Sequence, residues 1–248
     1  KSLRFFIDLF SDVSSDIIGI LDVNSLSFFV IILLTSKSPL LTGVLSDLIF
    51  FVSPFFLKSI DISPANKNVS IKLVHLKKNV GYGGGISEGL KHASGEYIGW
   101  SHADLQTPLR DFLKLYNLIK GKKNILGKGF RTNNRGFDGI VSRFHETLAS
   151  VILGVNLKEI NAQPKIFSKD LMKYFNNFPK KWTVLDTYVF YVCLKNKIEI
   201  KIIDVIFKNR IYGHSKWKNN FKNFFSHIFF NIIYLFKLRF IKVKNDSK

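Results

Sequence analysis

Apolar and polar positions alternate along Val69-Ser-Ile-Lys-Leu-Val-His-Leu76, the pattern of a strand with one buried face. The next apolar stretch, Glu96 to Ser101, is short and aromatic without alternation, which predicts a strand buried on both faces of a parallel sheet. Helical spacing takes over between and after them. Ile86, Leu90 and Ala93 share one face over Gly85 to Ala93, and Phe112, Leu115, Tyr116 and Ile119 share one face of a helix that Thr107-Pro108 starts. Val141, Phe144, Leu148 and Val151 recur at helical spacing in Ile140 to Leu153, and Lys197 to Phe207 reads as a late strand. The resulting class is α/β.

Three apolar runs fall outside this alternation. Leu26 to Leu34 and Leu45 to Leu57 are each shorter than a membrane span and interrupted by Ser or Pro, and the region lacks the layout of a cleavable signal peptide. Phe224 to Phe236 is also too short to cross a hydrocarbon core of roughly 30 Å. Lys218, Lys222, Lys237, Arg239, Lys242 and Lys244 flank it, which predicts an amphipathic helix lying in the headgroup region, with a core helix as the alternative.

Charge changes the picture next. A formal charge of +19 on 248 residues implies attraction to polyanions, either anionic lipid or nucleic acid. The C-terminal segment favours lipid, and no RNA-recognition or helix-turn-helix signature accompanies the basic residues, so nucleic acid is not expected as a partner. Cys193 is the only cysteine, which excludes an intrachain disulfide and is consistent with a reducing, cytosolic face. The length suits one full core, without a second globular domain or an internal repeat.

Candidate chemistry gathers in two places. Asn79-Val-Gly-Tyr-Gly-Gly-Gly85 is expected to form a strand-to-helix turn where glycine lets a diphosphate approach the backbone near a helix N-terminus; a plain tight turn is the other reading. The strand over Glu96 to Ser101 then delivers His102, Asp104 and Gln106. In an open α/β sheet, ligands bind outside the carboxyl ends of strands, and alternate residues of an extended segment can converge, so imidazole, carboxylate and amide oxygen form a candidate metal site.

From about Val69 to about Lys216 the chain resembles the inverting family 2 of nucleotide-sugar glycosyltransferases, and within it the polyprenyl-phosphate mannose and glucose synthases. The resemblance rests on the glycine segment with Gly89 and Ala93, Ala103-Asp-Leu-Gln106, Gly129-Phe-Arg131, Ser142-Arg143, Glu159 to Phe167, and Arg210-Ile-Tyr-Gly-His-Ser-Lys216, in matching order and spacing. It implies a GT-A, Rossmann-like fold with a mixed, mostly parallel sheet flanked by helices. It also implies donor binding by Asn79, Gly81, Gly83, Gly84, His102 and Gln106, and a divalent cation, Mn²⁺ or Mg²⁺, held by His102, Asp104 and Gln106. His102 stands where the family carries a carboxylate, which shifts preference toward Mn²⁺ or turns the imidazole to a phosphate. Arg210 and Lys216 match the basic loop that closes over the donor phosphates, with Gly213 giving that loop freedom. Arg131 and Arg143 match acceptor-phosphate contacts; Arg143 also reads as the polar edge of an amphipathic helix, and Arg135 is a neighbour with a weaker claim.

A phosphate monoester acceptor is already ionised at neutral pH and needs no general base, whereas a sugar hydroxyl needs a carboxylate. Asp186, in Trp182-Thr-Val-Leu-Asp-Thr187, is the nominee for that base, and a helix-capping or loop aspartate is the alternative. The nucleoside-binding opening of the family is not recognisable in residues 1–65, where Ile20-Leu-Asp-Val-Asn-Ser25 is only a distant echo of its acidic segment. With Met172 the only methionine, that region is expected to be truncated or diverged. The expectation is therefore a GT-A domain over residues 1–220 and a basic membrane-associating segment over 221–248. The resemblance implies a metal-dependent hexosyltransferase moving sugar from a nucleotide donor to a polyprenyl phosphate or another glycan or lipid acceptor. Its expected place is peripheral, on the cytoplasmic face of a membrane with an anionic lipid surface. An inactive membrane scaffold is the runner-up, and a soluble enzyme with a hydroxyl acceptor the third reading.

Overall fold

The computed structural model describes residues 20–22, 27–34, 47–52, 70–75, 80–102, 106–175, 179, 184–208 and 221–241. Eight strands form one sheet: β1 (Ile20–Asp22), β2 (Ser27–Leu34), β3 (Asp47–Val52), β4 (Ser70–His75), β5 (Tyr97–His102), β6 (Ile125–Arg131), β7 (Lys165–Ser168) and β8 (Glu199–Val205). The helices are α1 (Gly81–Leu90), α2 (Leu109–Ile119), α3 (Gly136–Leu153), α4 (Val184–Lys195) and α5 (Phe221–Arg239), with a 3₁₀ turn over Lys169–Tyr174.

The strand order is β4-β3-β1-β2-β5-β7-β6-β8. The β3–β4 and β6–β8 pairs are parallel, while β2 and β7 run against their neighbours. Six strands thus share one direction, as a mixed, mostly parallel GT-A sheet requires. One expectation is corrected here. β5 points with the majority, but both strands beside it, β2 and β7, are antiparallel. Its unbroken apolar run reports burial on both faces, and burial does not encode the direction of neighbouring strands. The runs at Leu26 to Leu34 and Leu45 to Leu57 contribute β2 and β3.

Side-chain periodicity explains the core. Phe112, Leu115, Tyr116 and Ile119 are all buried, so the face read for α2 is the face that packs on the sheet. Tyr97 stands edge-on to Tyr116 at 5.6 Å between ring centroids, and Trp100 edge-on to Phe167 at 6.0 Å. These geometries suit the aromatic quadrupole and join β5 to α2 and β7.

Helix α3 forms where expected, but its predicted stripe is split: Leu148 packs against the core and Val141 is half-buried. Ala149, Ile152 and Leu153 face the core, whereas Phe144 and Val151 point to solvent. Spacing establishes that a stripe exists; it does not say which side meets the sheet. Helix α5 is two-sided: Leu235 and Leu238 join the core, and Phe229 and Phe236 stay exposed. Among the described residues no helix is long and apolar enough to cross a membrane.

Two glycines are demanded by close approach. A Cβ on Gly99 would lie 2.4 Å from the Lys165 carbonyl oxygen of β7 and 2.8 Å from the Phe112 ring, and one on Gly129 would lie 2.4 Å from the Gln163 carbonyl oxygen. Backbone cannot yield as a flexible side chain does. Gly99→Ala is therefore expected to destabilise the fold by about 1–3 kcal/mol, read as a lower urea midpoint at unchanged m value.

Candidate active site at the carboxyl edge of the sheet

Strands β4, β5, β6 and β8 end along one edge, and the glycine segment, Gln106, Arg131, Asn133 and Lys208 lie at or just after those ends. After β4 the chain enters α1 at Gly81, so the glycines form the first turn of the helix itself rather than the turn before it. That corrects the expected start at Gly85. The N-cap residue is Val80, whose side chain carries no hydrogen-bond acceptor, and α1 has no side-chain cap hydrogen bond. Backbone N–H groups at such an end are available to an anion. Asn79 lies outside the described residues.

β5 ends at His102, and the chain reappears at Gln106. Asp104 and the His102 side chain lie outside the described residues. Gln106 is held from the far side of the edge. Its Nε2 donates to the Lys208 carbonyl oxygen at 3.1 Å, while the Lys208 N–H donates to the Gln106 carbonyl oxygen at 2.8 Å. Asn133, after β6, repeats this device with Phe207: its Nδ2 donates to the Phe207 carbonyl oxygen at 2.8 Å, and the Phe207 N–H donates to its Oδ1 at 2.9 Å. The segment leaving β8 is thus stitched to those leaving β5 and β6. Arg210 follows Lys208 by two residues; Arg210 and Lys216 themselves are outside the described residues. Among the described residues no group of three or more His, Cys, Asp or Glu could hold a metal ion.

β6 delivers Arg131 at its last position. Arg131 Nε is ion-paired to Glu159 Oε2, and Arg135 Nη2 reaches Glu159 Oε1 at 3.3 Å, so one carboxylate clamps both guanidinium groups. Arg135 Nη1 also donates to Ser142 Oγ at 3.3 Å, and the Arg131 guanidinium lies 5.6 Å from the centroid of the Phe207 ring. Arg131 Nη2 is buried without a hydrogen-bond partner among the described residues. A buried guanidinium nitrogen left open is a position an anion can satisfy. Arg143 does not join this pair through any hydrogen bond or ion pair among the described residues; it is exposed on α3. Arg135 and Glu159 are therefore the stronger companions of Arg131. The sequence signal for Glu159 was its place at the head of the Glu159 to Phe167 motif.

Asp186 sits in the first turn of α4 and is 3 % exposed. Tyr82 Oη donates to its Oδ2 at 2.7 Å; Lys165 Nζ lies 2.7 Å from its Oδ1, and Gln163 Nε2 donates to the same oxygen at 3.3 Å. Trp100 Nε1 and Gln163 Nε2 both donate to Tyr82 Oη, at 3.2 and 2.8 Å. Burial, and next the Asp186 charge, hold the Tyr82 phenol well above its ordinary range, so it stays a donor. Burial pulls the Lys165 ammonium down while Asp186 pulls it back up. Asp186 is neither a loop residue nor a simple cap: it is the anion of a buried network. Tyr82, Gln163 and Lys165 were not singled out from sequence, because a tyrosine among glycines and a lysine in an apolar strand carry no pattern that announces pairing.

Lys128, on β6, is fully buried, donates to the Lys158 carbonyl oxygen at 2.8 Å and lies 4.6 Å from the Phe190 ring centroid. Burial first, and then the Lys165 charge, push its ammonium down to about 7.

Residues 61–167 match the model of glycosyl transferase family 2. No curated protein matches the chain in sequence. Among solved structures, glucosyl-3-phosphoglycerate synthase from Mycobacterium tuberculosis in complex with uridine diphosphate aligns at a TM-score of 0.52 and 16 % identity, covering 84 % of this chain and 74 % of that one. The same enzyme with Mn²⁺, UDP-glucose and phosphoglyceric acid aligns at a TM-score of 0.51 and 15 % identity, covering 81 % and 71 %. The chain is thus similar to family 2 over residues 61–167 and shares the fold of these solved enzymes.

Two outcomes follow from the buried charges. Asp186→Asn should cost about 3–5 kcal/mol because Lys165 is left uncompensated. The double substitution Lys165→Met with Asp186→Asn should recover most of that loss in urea unfolding, as a shared ion pair requires. For Lys128, the folded chain has released its proton above about 7 while the unfolded chain holds it to about 10.5. Stability should therefore rise with pH across that window, by roughly 3–5 kcal/mol at most, and Lys128→Met should flatten the rise in unfolding curves taken at stepped pH.

Proposed function

We propose that this chain transfers a sugar, with inversion, from a nucleotide-sugar donor to a phosphate-bearing acceptor. The observation that carries the reading is the reciprocal hydrogen bonding of Gln106 with Lys208, which brings the segment after β5 beside the segment that leads to Arg210. The donor diphosphate is assigned to the N-terminus of α1, with Gly81, Gly83 and Gly84, and to Arg210 and Lys216 of the sequence that follows β8. A divalent cation held by His102, Asp104 and Gln106 would neutralise diphosphate charge when bound. Arg210 and Lys216 stabilise the nucleoside diphosphate as it leaves with the electron pair of the breaking bond to the anomeric carbon.

The acceptor phosphate is assigned to Arg131 and Arg135, positioned by Glu159, with the open Nη2 of Arg131 as one contact. Its ionised oxygen attacks the anomeric carbon in line and needs no proton acceptor, which accords with Asp186 being committed to Lys165 and Tyr82. Polyprenyl phosphate at a membrane surface is the favoured acceptor, on the resemblance to polyprenyl-phosphate synthases and the exposed aromatic side of α5. A small soluble phosphate acid is the second reading, favoured by the phosphoglyceric acid bound in the structural neighbour.

Calorimetric titration of UDP and GDP, with and without Mn²⁺, is expected to show Mn²⁺-dependent binding of one nucleotide that Asp104→Ala loses. Absence of nucleotide binding by the folded wild type would sink the reading and favour a silent membrane scaffold. Radiolabelled sugar transfer to polyprenyl phosphate and to 3-phosphoglycerate then separates the two acceptors, and Glu159→Gln should lower transfer about 10- to 100-fold while leaving nucleotide affinity unchanged.

A further inference from the structure

Helix α3 carries an apolar stripe that nothing among the described residues covers. Phe137, Ile140, Phe144 and Val151 recur three, four and seven residues apart and are 72 %, 57 %, 66 % and 72 % exposed. A monomeric surface seldom shows so many large apolar side chains along one line. The stripe begins two residues after Arg135, and Arg143 is exposed on the same helix.

A second exposed stripe lies on α5, through Phe229 and Phe236 to Phe240 just beyond its end. The two helices pack together, and Arg239 Nη1 donates to the Ile152 carbonyl oxygen. That bond sits between Val151 on one helix and Phe240 on the other, each the immediate chain neighbour of a bonded residue. The helices that carry the two stripes are therefore held together at this point.

We propose that α3 and α5 together form a face that seats on an anionic lipid surface. Charge selects this occupant. Helix α5 has no acidic residue and ends in Lys237 and Arg239; on α3, Glu146 is buried, Asp138 is the exposed acid, and Arg143 stands beside the stripe. Lys242 and Lys244 follow α5 in a chain of net charge +19. Aromatic side chains flanked by long cations suit the boundary between headgroups and acyl chains, where the cations reach outward to phosphate. The face also explains why α3 turns its stripe away from the sheet. The proposal deepens the membrane reading above: α3, which starts at the acceptor-phosphate arginines, becomes a lipid-contacting element in its own right, so the Arg131 and Arg135 pair stands at the edge of the bilayer.

The test uses the full chain. Cys193 is buried and its thiol is pushed far up by that burial, so an environment-sensitive fluorophore will label a new exposed cysteine selectively. Phe144→Cys carrying such a label should brighten and shift to the blue on adding phosphatidylcholine vesicles containing phosphatidylglycerol, and respond far less to phosphatidylcholine alone. Ile140→Glu combined with Val151→Glu, whose sites are exposed and should fold normally by circular dichroism, should bind the anionic vesicles at least about tenfold more weakly. Unchanged emission, or unchanged vesicle binding by the double variant, overturns the proposal. So does a label that responds to protein concentration and not to vesicles, since the face would then meet a second copy. The double variant should keep wild-type nucleotide affinity. Vesicle binding without any nucleotide binding would leave this face standing while the proposed transfer reaction fell.

Discussion

The ion pair between Lys165 and Asp186 is the constraint on which the rest of the site depends. Both groups are out of water, so each would be costly alone, and together they draw in Tyr82, Gln163 and Trp100 as hydrogen-bonding partners. The five residues come from α1, β5, the loop before β7, β7 itself and α4. One buried charge pair thus sets where the glycine helix starts relative to the strand that leads to Asp104. A network of this kind contributes less to stability than to uniqueness of arrangement, because shifting any one element leaves a polar group without its partner.

A second constraint is the near approach of backbones that only glycine permits. Gly99 lets β7 lie against β5, and Gly129 does the same for the Gln163 carbonyl beside β6. With β7 held this tightly, Lys165 and Gln163 are carried to Asp186 on one side, while Glu159, a few residues earlier, meets Arg131 and Arg135 on the other. The short segment from Glu159 to Lys165 therefore serves both charged clusters. Across the edge, the pairings Gln106–Lys208 and Asn133–Phe207 gather three strand ends that are not neighbours in sequence. These ends meet there because the sheet's common strand direction brings the ends of β4, β5, β6 and β8 to one side, where open α/β sheets place their ligands.

Much of the carboxyl edge was legible from sequence. Strand β5 stood out because an aromatic, apolar run ending in His102 is hard to read otherwise, and α2 because four large apolar residues fall on one face. The strands β4 and β8 followed from alternation and from their place before the glycines and before Arg210. Arg131 enters the sequence reading through resemblance, but its pairing with Arg135 is not legible there, since a sequence does not disclose that one carboxylate sits between the two.

What the sequence alone determined is local: periodicity sets the type of each element, the glycines mark where backbone must come close or stay bare, and the excess of lysine and arginine sets the sign of the chain's own charge. The tertiary structure decided which face of each helix is inside, which strands flank β5, and which charges meet. α3 turns Ala149, Ile152 and Leu153 inward and its larger residues outward, although the larger stripe is the more conspicuous in sequence. Asp186 becomes a buried anion although its neighbours in sequence are uncharged. The physical reason is common to both: burial and pairing depend on residues distant along the chain, and local pattern records a residue's own preference without naming the partner that satisfies it.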